Sequence, residues 1–306
     1  MRLSAIVPTH DTREMTLGCL AALERAGVDE IVLVDDGSGD GTFEAVADRC
    51  PQARRLRHEQ ARGFSAAANA GLRAAGGELL WLVNSDALVP EGAGLRLREA
   101  FAARPRLGLA GSRLVNPDGS PQWSGGRRPG ALWLFVLGSG LAEWRAARRG
   151  PRSGRPAGRV EWLSGAALAL RREVFESCGP LFEGYRFYAQ DLDLCWAALD
   201  AGWELALLDD PPVVHLGGAT IGRSTGASGG VQRALLWSDL ATCVTRRAGA
   251  AAGRRAALAL RAGCSVRLAW RDLTGLALRG EARTEWLAES ARLREARAAV
   301  AGSASG

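Results

Sequence analysis

The first 110 residues alternate between short apolar segments and helix-like segments, and this alternation constrains the fold more than any other feature of the chain. Leu3–Val7, Ile31–Val34 and Leu79–Val83 are apolar runs rich in strand-forming residues. The segments between them have helical periodicity, namely Met15–Arg25, Thr42–Arg49 and Asn69–Ala75. Buried strands separated by helices are typical of a parallel sheet that is covered on both faces. The sequence therefore predicts an α/β, doubly wound architecture with a mostly parallel central sheet.

The middle of the chain has a weaker pattern. Residues 112–160 are rich in Gly, Pro and Arg, a composition typical of loops or of a mobile flap. After this stretch the sequence predicts a strand over Val160–Leu170 and a helix over Asp191–Ala201. Two further short strands are predicted at Glu204–Leu208 and Val213–His215.

From about Gln232 onward, Ala, Leu, Arg and Trp recur at helical spacing. A chain of 306 residues is long enough for one large domain or two modest ones. We therefore expect an α/β domain over residues 1–226 and a helical C-terminal region over residues 227–306, with the boundary near Gly226–Gly230.

The net charge of +6 arises from 39 basic and 33 acidic residues, and every basic residue is an arginine. Arginine without lysine, together with abundant Ala and Gly, is typical of a GC-rich coding sequence. The excess charge is therefore weak evidence for nucleic-acid binding, which requires cations clustered on one face. The absence of lysine also excludes a phosphate-binding Gly-Lys-Ser/Thr loop. We expect no nucleic-acid partner.

The six cysteines are scattered and include no Cys-x-x-Cys pair, which is typical of buried thiols in a reducing compartment. The first residues lack the basic start and apolar core of a secretory signal. The longest apolar stretch, Ala131–Ala142, is shorter than the roughly 20 residues that cross a bilayer. We therefore expect a cytoplasmic protein.

Acidic clusters stand at three places. Asp35-Asp36 and Asn84-Ser85-Asp86 follow predicted strands, and Gln190-Asp191-Leu192-Asp193 opens the helix predicted after the flap region. In an open parallel sheet, ligands bind at the carboxyl ends of the strands. Carboxylates gathered at one edge repel each other unless a cation or a polar ligand compensates them. The pattern therefore predicts a site for a metal and a polyhydroxylated ligand.

Several of these segments resemble the motifs of the GT-A fold, family 2 glycosyltransferases. In the first 90 residues they are Val7-Pro8-Thr9, Val34-Asp35-Asp36-Gly37-Ser38, Gly63–Gly71 and Asn84-Ser85-Asp86. Three later segments resemble the rhamnosyltransferase-like branch, namely Ser164-Gly165-Ala166, Gln190–Cys195 and Val214–Gly218. The resemblance covers roughly residues 1–220 and implies a GT-A catalytic domain that binds a nucleotide sugar.

The resemblance implies a nucleotide site at the ends of the first strands. Asp35 would accept a hydrogen bond from the base and Asp36 would lie near the ribose. Pro8 and Thr9 would wall the base pocket, and Arg62 would face either the base or the phosphates. The alternative for Asp36 is a role as a turn residue.

The resemblance also implies a divalent cation, Mg²⁺ or Mn²⁺. Asp86 occupies the metal position of the family's Asp-x-Asp motif, in which Asn84 is assigned to the nucleotide. His215 stands where many relatives have a histidine that touches the metal or a phosphate, and a purely structural role is its alternative. Such hard ions bind one or two carboxylates together with substrate phosphates.

Asp191 is the predicted general base, because an attacking hydroxyl must lose its proton and a positioned carboxylate can take it. The alternative is a helix N-cap. The family usually has Glu-Asp here, whereas this chain has Gln190, so the negative charge of the first residue is lost. Ser164, Gly165, Gln190 and Asp193 are assigned to the donor and acceptor sugars, and Asp193 alternatively points to solvent.

These assignments predict an inverting, metal-dependent glycosyltransferase. Its donor would be dTDP-rhamnose or a UDP-sugar, and its acceptor a hydroxyl of a cell-surface glycan or a lipid-linked intermediate. Two alternatives stay open, a catalytically impaired sugar-nucleotide or glycan binder and a sugar nucleotidyltransferase.

The arginines of the C-terminal region alternate with Leu, Ala and Trp. They are Arg246, Arg247, Arg254, Arg255, Arg261, Arg267 and Arg271. A basic amphipathic helix is typical of peripheral membrane contact, here at the inner face of the membrane. A solvated face on helices packed against the catalytic domain is the alternative, and the oligomeric state is left open.

Overall fold

The structure is a computed structural model that describes residues 1–141, 144, 160–217 and 232–303. The chain divides into two compact units. The first comprises Met1–Arg127, Ser153–Gly184 and Gln190–Gly230, and the second comprises Arg128–Arg152, Tyr185–Ala189 and Val231–Gly306. The domain boundary predicted near residues 226–230 lies outside the described residues.

The described residues of the first unit form ten strands in two sheets. The strands are β1 Leu3–Thr9, β2 Glu30–Asp35, β3 Arg54–Arg57, β4 Leu79–Val83, β5 Ala87–Leu88, β6 Leu107–Val115, β7 Gly125–Gly126, β8 Trp162–Leu163, β9 Ala167–Arg171 and β10 Glu204–His215. Eight of them form one sheet in the order β3-β2-β1-β4-β9-β6-β10-β5, and β7 pairs with β8 in a small second sheet.

The large sheet is mixed but mostly parallel. β1 runs parallel to β2 and β4, β2 runs parallel to β3, and β6 runs parallel to β10. β9 is antiparallel to both β4 and β6. β1, β2, β4, β6 and β10 therefore point the same way, and their carboxyl ends lie at one edge. The predicted α/β architecture with a mostly parallel sheet is confirmed.

Helices cover both faces of the large sheet. They are α1 Arg13–Ala26, α2 Thr42–Arg49, α3 Phe64–Ala74, α4 Ala93–Ala103, α6 Arg172–Cys178 and α7 Gln190–Asp200, while α5 (Ala131–Ser139) belongs to the second unit. One core contains Leu23 of α1 and Phe101 of α4, and the other contains Leu72 of α3 and Leu194 of α7. The continuous apolar strands are explained by this double coverage, since both of their faces are buried.

Gly71 permits the close approach of α3 to the sheet. A Cβ atom at this position would lie 2.9 Å from Cγ2 of Val34 and closer still to Cγ2 of Ile6. Both neighbours are fully buried β-branched residues with little rotamer freedom. The glycine that ends the Gly63–Gly71 segment is therefore a packing requirement for α3 against β1 and β2.

The structure differs from the sequence predictions in the middle of the chain. The predicted strand over 160–170 is two strands, β8 and β9, because the backbone turns at Ser164–Ala166. The segments predicted as strands at 204–208 and 213–215 form the single strand β10, with a register shift between Leu208 and Val213. Within 112–160, predicted as loops or a flap, the structure contains the end of β6, β7 and α5, and residues 142–143 and 145–159 lie outside the described residues.

The second unit is helical in its described part, as predicted for the C-terminal region. α5 is joined there by α8 Arg233–Ala248, α9 Ala250–Gly275 and α10 Gly280–Ser303. Gly138 of α5 and Gly263 of α9 bring these two helices into contact, since a Cβ on Gly138 would lie 3.1 Å from the main-chain nitrogen of Cys264. Among the described helices, none is both long and apolar enough to span a bilayer.

Candidate functional site

The carboxyl edge of the large sheet carries the polar segments that the sequence predicted. Six strands end there, at Thr9, Asp35, Arg57, Val83, Val115 and His215. β9 runs the opposite way, so its first residue, Ala167, pairs with Val83 at the same edge. The main-chain N–H of Asn84 donates to the carbonyl of Ala166 over 3.0 Å. The turn before β9 therefore lies beside the end of β4.

Asp36 holds the loop that leads into α3. Its Oδ1 accepts hydrogen bonds from His58 Nδ1 at 2.7 Å and from the main-chain N–H of Arg62 at 2.9 Å. Its Oδ2 accepts from the main-chain N–H of Gly63 at 2.8 Å. Charge-assisted bonds of this kind are strong. The carboxylate thus does more than form a turn, whereas its predicted place near a ribose stays a prediction.

Asp35 is fully buried at the end of β2. Its Oδ1 accepts from the main-chain N–H of Ser38, and Arg57 Nε lies 3.2 Å from its Oδ2. That N–H does not point at Oδ2, which has no hydrogen-bond partner among the described residues. A buried carboxylate oxygen without a donor is costly, so this atom has unused capacity to accept a hydrogen bond.

Thr9 belongs to a cluster of hydroxyl groups between the ends of β1 and β4. Its Oγ1 lies 2.9 Å from that of Thr12 and 2.7 Å from that of Thr16. Thr12 Oγ1 in turn lies 3.0 Å from Ser85 Oγ. The cluster fastens the start of α1 to the Asn84-Ser85-Asp86 segment, and Pro8 precedes it on β1.

The structure brings Asp86 and His215 together, although 129 positions separate them in the chain. His215 Nε2 lies 3.3 Å from Asp86 Oδ1, and both side chains are mostly buried. Asn84 Nδ2 lies 3.4 Å from the same His215 Nε2. The main chain reinforces the contact, because the N–H of Leu216 donates to the carbonyl of Asp86 over 3.0 Å.

Asp86 and His215 fit a divalent cation. Carboxylate oxygens suit Mg²⁺ and Mn²⁺, and imidazole nitrogens are ligands of several divalent transition metals. The nearby Asn84 Oδ1 is a buried acceptor without a hydrogen-bond partner in the described part of the chain. No group of three His, Cys, Asp or Glu side chains suited to a metal occurs among the described residues. Asp86 and His215 are therefore the two candidate ligands at this edge among the described residues.

Asp191 lies in the first turn of α7, one residue after the helix begins, so it is not an N-cap. Its Oδ2 accepts the main-chain N–H of Gly165 at 2.8 Å, and its Oδ1 accepts that of Leu192 at 2.8 Å. Desolvation raises the pKa of the Asp191 carboxyl above its ordinary value, although these hydrogen bonds partly oppose the shift. A carboxylate with a raised pKa is better matched to accepting a proton near neutral pH.

The other residues assigned to sugars surround Asp191. Ser164 donates its main-chain N–H to the carbonyl of Ser124 over 3.0 Å, which orders the turn before β9. Gln190 begins α7, and Asp193 follows on the same helix. Asp193 is only 3% exposed, so the alternative in which it points to solvent is wrong.

Arg62, which was assigned to the nucleotide, has a largely exposed side chain. Its Nη2 lies 3.9 Å from Glu183 Oε2.

The sequence predictions missed two residues of this edge. His58 follows β3 and binds Asp36, and the strand-end rule that singled out the acidic clusters would have found it had β3 been recognised. The side-chain amide of Gln122 makes two hydrogen bonds with His215. Its Nε2 donates to the main-chain carbonyl of His215, and its Oε1 lies against the ring Nδ1. No local signal marks Gln122, because its role depends on the meeting of two distant segments.

The model of Glycosyl transferase family 2 matches residues 4–179 of the chain. The N-acetylglucosaminyl-diphospho-decaprenol L-rhamnosyltransferase of Mycobacterium tuberculosis (strain CDC 1551 / Oshkosh) is 32% identical over 212 residues, which are 63% of this chain and 68% of that protein. The O-antigen biosynthesis protein RfbC of Myxococcus xanthus is 29% identical over 205 residues, which are 63% of this chain but 16% of that protein.

Solved structures share the fold. A mannosyltransferase from Pyrobaculum calidifontis, in complex with GDP-Man and Mn²⁺, superposes with a TM-score of 0.62 at 18% identity, covering 97% of this chain and 86% of that one. The glucosyl-3-phosphoglycerate synthase of Mycobacterium tuberculosis, in complex with Mn²⁺, UDP and glucosyl-3-phosphoglycerate, gives a TM-score of 0.51 at 16% identity, covering 81% and 80%. At such low identity the likeness establishes the architecture alone.

Proposed function

The chain belongs to glycosyltransferase family 2, and from this premise we propose that it is an inverting, metal-dependent transferase of sugars from nucleoside diphosphate donors. The acceptor is a hydroxyl of a cell-surface glycan or of a lipid-linked intermediate. The observation that carries the proposal is the arrangement of the carboxyl edge, where the Asp86–His215 pair and the Asp191–Gly165 pair lie on either side of the contact between Asn84 and Ala166.

The nucleotide site is the neighbourhood of Asp35 and Asp36. The buried Oδ2 of Asp35, which lacks a hydrogen-bond donor among the described residues, suits the imide N–H of a uracil or thymine base. This chemistry is common to UDP-sugars and dTDP-rhamnose, the two donors expected here. Asp36 contributes by holding the Arg62-Gly63 backbone at the start of α3, and Pro8 and Thr9 line the same end of β1.

Asp86 and His215 would hold a divalent cation, Mg²⁺ or Mn²⁺, together with oxygens of the donor diphosphate. Such hard ions bind few protein carboxylates and take oxygens of substrate phosphates as further ligands. When bound, the ion supplies charge neutralisation for the departing diphosphate. Asn84 lies next to His215 and presents an amide to the same region.

Asp191 acts as the general base. The acceptor oxygen attacks the anomeric carbon as the bond to the diphosphate oxygen breaks, and the bonding pair leaves with the diphosphate. The hydroxyl proton passes to the Asp191 carboxylate, whose hydrogen bonds to Gly165 and Leu192 fix its position. Attack opposite the leaving group inverts the configuration at that carbon. Gln190 retains hydrogen-bonding capacity without the usual charge, and Ser164 and Asp193 complete the sugar-binding surface.

The helical C-terminal region is proposed to contact the inner face of an anionic membrane. α9 and the residue that follows it, Leu276, expose a row of apolar side chains, the apolar stripe, which consists of Leu258, Ala262, Val266, Trp270, Leu273 and Leu276. Spacings of three and four residues place them on one side of a helix. Arg254, Arg255 and Arg261 are exposed on the first half of α9. A polyprenol-linked acceptor, such as the name of the mycobacterial relative specifies, would itself reside in a bilayer.

Two of the arginines that suggested membrane contact do not belong to this surface. Arg271 is buried, where its Nε donates to Ser290 Oγ and its guanidinium stacks over Trp286. Arg267 is largely covered and lies 3.8 Å from Glu289. The proposed membrane surface therefore depends on the apolar stripe and the exposed arginines. We propose residues 1–226 as the catalytic domain and 227–306 as the helical region, although α5 and Tyr185–Ala189 group with the helical unit in the structure.

A panel of ligands tests the proposal. Thermal unfolding is measured with UDP, dTDP, GDP and their sugars, each with and without Mn²⁺, for the wild type and Asp86→Asn. We expect a cation-dependent rise in melting temperature with one pyrimidine nucleotide, lost in Asp86→Asn. Slow release of nucleoside diphosphate from the sugar donor supports a transferase. Donor binding without release supports an impaired binder, and pyrophosphate release from a nucleoside triphosphate supports a nucleotidyltransferase.

A further inference from the structure

The turn between β6 and β7 is hydrogen-bonded to His215, and we propose that it fixes which ring nitrogen of His215 faces Asp86. Gln122 is the residue in direct contact, and Asn116, Asp118 and Ser120 orient it. The inference rests on the proposed function only in its second part, where the freed nitrogen binds the divalent cation. Its first part, the tautomer of His215, stands on hydrogen bonds alone.

The chain of hydrogen bonds starts at Asp118. Its Oδ1 accepts from Ser120 Oγ at 2.6 Å and from the main-chain N–H of Ser120 at 2.9 Å. These two bonds lower the pKa of the Asp118 carboxyl, which stays ionised and can only accept. Because the single hydroxyl hydrogen of Ser120 is directed to Asp118, its oxygen must accept from Asn116 Nδ2, at 2.8 Å. The amide of Asn116 is therefore oriented.

The orientation passes from Asn116 to Gln122. Asn116 Oδ1 accepts from Gln122 Nε2 over 2.6 Å, and the other Nε2 hydrogen goes to the carbonyl of His215, also at 2.6 Å. Both hydrogens of the amide are thus used by oxygen acceptors. Rotating the amide by half a turn would set its oxygen against two other oxygens. Gln122 Oε1 is therefore the atom that faces His215 Nδ1, at 2.8 Å.

The tautomer of His215 follows from this geometry. An amide oxygen can only accept, so Nδ1 of His215 carries the hydrogen, and in the neutral ring Nε2 holds the lone pair. That lone pair lies 3.3 Å from a carboxylate oxygen of Asp86. Asn84 Nδ2 lies 3.4 Å from the same nitrogen and can donate to it. The lone pair and the carboxylate oxygen repel each other unless a proton or a metal cation lies between them. Histidines that bind metals commonly donate their other ring N–H to an oxygen in this way.

The chemical consequence concerns the strength of cation binding. Gln122 is a positioning residue, since it touches neither the reacting atoms nor the proposed ion. Without it, the imidazole of His215 can rotate and exchange tautomers, so that a smaller fraction of molecules presents Nε2 beside Asp86. Loss of a hydrogen-bond partner of this kind costs about 10- to 100-fold in metal affinity.

Two variants test the inference. Gln122→Leu removes the acceptor at similar volume, and Gln52→Leu is a control at an exposed glutamine remote from the edge. Mn²⁺ affinity is measured by electron paramagnetic resonance with saturating UDP. We expect a loss of about 10- to 100-fold in Gln122→Leu and no change in Gln52→Leu. Unchanged affinity in Gln122→Leu overturns the second part.

The ring nitrogens are read separately by ¹⁵N NMR of the metal-free protein, with His215→Asn assigning the signal among the three histidines. We expect the Nδ1–H tautomer in the wild type and a mixture in Gln122→Leu. An Nε2–H tautomer in the wild type overturns the first part. If the wild type has the expected tautomer but binds no Mn²⁺, the proposed dependence of the function on a divalent cation is wrong, while the inference about the tautomer stands. Should Gln122→Leu not fold, Ser120→Ala disrupts the same chain at its exposed end and is expected to produce the same tautomer mixture.

Discussion

The Oδ2 atom of Asp191 lies 2.8 Å from the main-chain nitrogen of Gly165 and accepts its hydrogen bond. This contact ties the start of α7 to the turn between β8 and β9, and that turn is itself bonded to Asn84 at the end of β4. A Cβ at residue 165 would lie 3.4 Å from the Asp191 Cβ, an ordinary contact, so this approach does not itself require a glycine. The candidate base, Asp191, is therefore bonded to the turn before β9, and the candidate cation site at Asp86 follows the neighbouring strand β4.

The raised pKa of Asp191 predicts the acid limb of the pH–rate profile. The base works only when ionised, so turnover falls as the pH drops through its pKa. Burial favours the protonated form, and the limb should therefore lie above the value of about 3.9 for a free aspartate. The rate of transfer is measured from pH 4 to 8 at saturating donor. A rate that is flat down to about pH 4 would remove Asp191 from this role.

A second prediction concerns Asp239, a buried residue of α8. Its carboxylate accepts the main-chain N–H groups of Arg186, Phe187 and Tyr188 at 2.8 to 3.2 Å. Asp239→Ala leaves three donors unsatisfied and should lower the free energy of unfolding by about 3 kcal/mol or more. Asp239→Asn, which retains one acceptor oxygen, should lose less.

The control for Asp239 is Asp272, an exposed carboxylate of α9 that pairs with Arg294 at 3.1 Å. Exposed ion pairs contribute about 0 to 1 kcal/mol, so Asp272→Ala should be nearly neutral. Urea unfolding followed by tryptophan fluorescence measures both variants. Equal effects of the two substitutions would mean that the three main-chain bonds to Asp239 do not stabilise the protein.

Two helical glycines are predicted to respond in opposite directions to alanine. In both, alanine gains up to about 1 kcal/mol of helix propensity. At Gly71 the new Cβ collides with Ile6 and Val34, and overpacking of this kind costs about 1 to 3 kcal/mol. At Gly18 of α1 the nearest atom is Leu88 Cδ2 at 3.6 Å, an ordinary contact. Gly71→Ala should therefore lower the melting temperature and Gly18→Ala should raise it. A higher melting temperature in Gly71→Ala would contradict the prediction, because it would mean that Ile6 and Val34 can move away from the new Cβ at little cost.

The apolar stripe on α9 predicts binding to anionic vesicles. Leu273→Asp should weaken that binding by about tenfold or more, since burying one leucine contributes about 1.5 to 3 kcal/mol. Leu132→Asp is the matched control, because Leu132 is equally exposed but lies on α5. Flotation with vesicles of phosphatidylglycerol and phosphatidylethanolamine measures both. Equal loss in the two variants, or no binding by the wild type, would contradict the proposed membrane surface.

The sequence predicts the sheet well where strands are buried on both faces. β1, β2 and β4 are recognisable because helices cover them and their residues are apolar throughout. β3 reads Arg-Arg-Leu-Arg and lies at the edge of the sheet, so its charged side chains hide it from a hydrophobicity pattern. The antiparallel insertion of β9 between β4 and β6 is likewise a tertiary result, since no local signal states the direction of a strand.

The candidate site divides in the same way. Asp86 and Asp191 were predictable because polar residues at strand and helix ends carry a local signal. Gln122 was not, since its importance arises from the meeting of the β6–β7 turn with the end of β10. The segment around Pro117-Asp118-Gly119-Ser120 was interpreted as loop, yet its side chains form the hydrogen-bonded chain that reaches His215. Local composition predicts that this segment is a turn, but it does not predict that the turn is hydrogen-bonded to His215.

The comparison of donor binding with transfer in Asp191→Asn tests the central claim most directly. Donor affinity is measured by isothermal titration with Mn²⁺, and transfer by release of nucleoside diphosphate in the presence of acceptor. If Asp191 takes the acceptor proton at a site whose donor is held by other residues, affinity stays within a few-fold of the wild type while transfer falls by about 100- to 10,000-fold. Transfer at the wild-type rate, or loss of donor binding in parallel with transfer, would contradict the account.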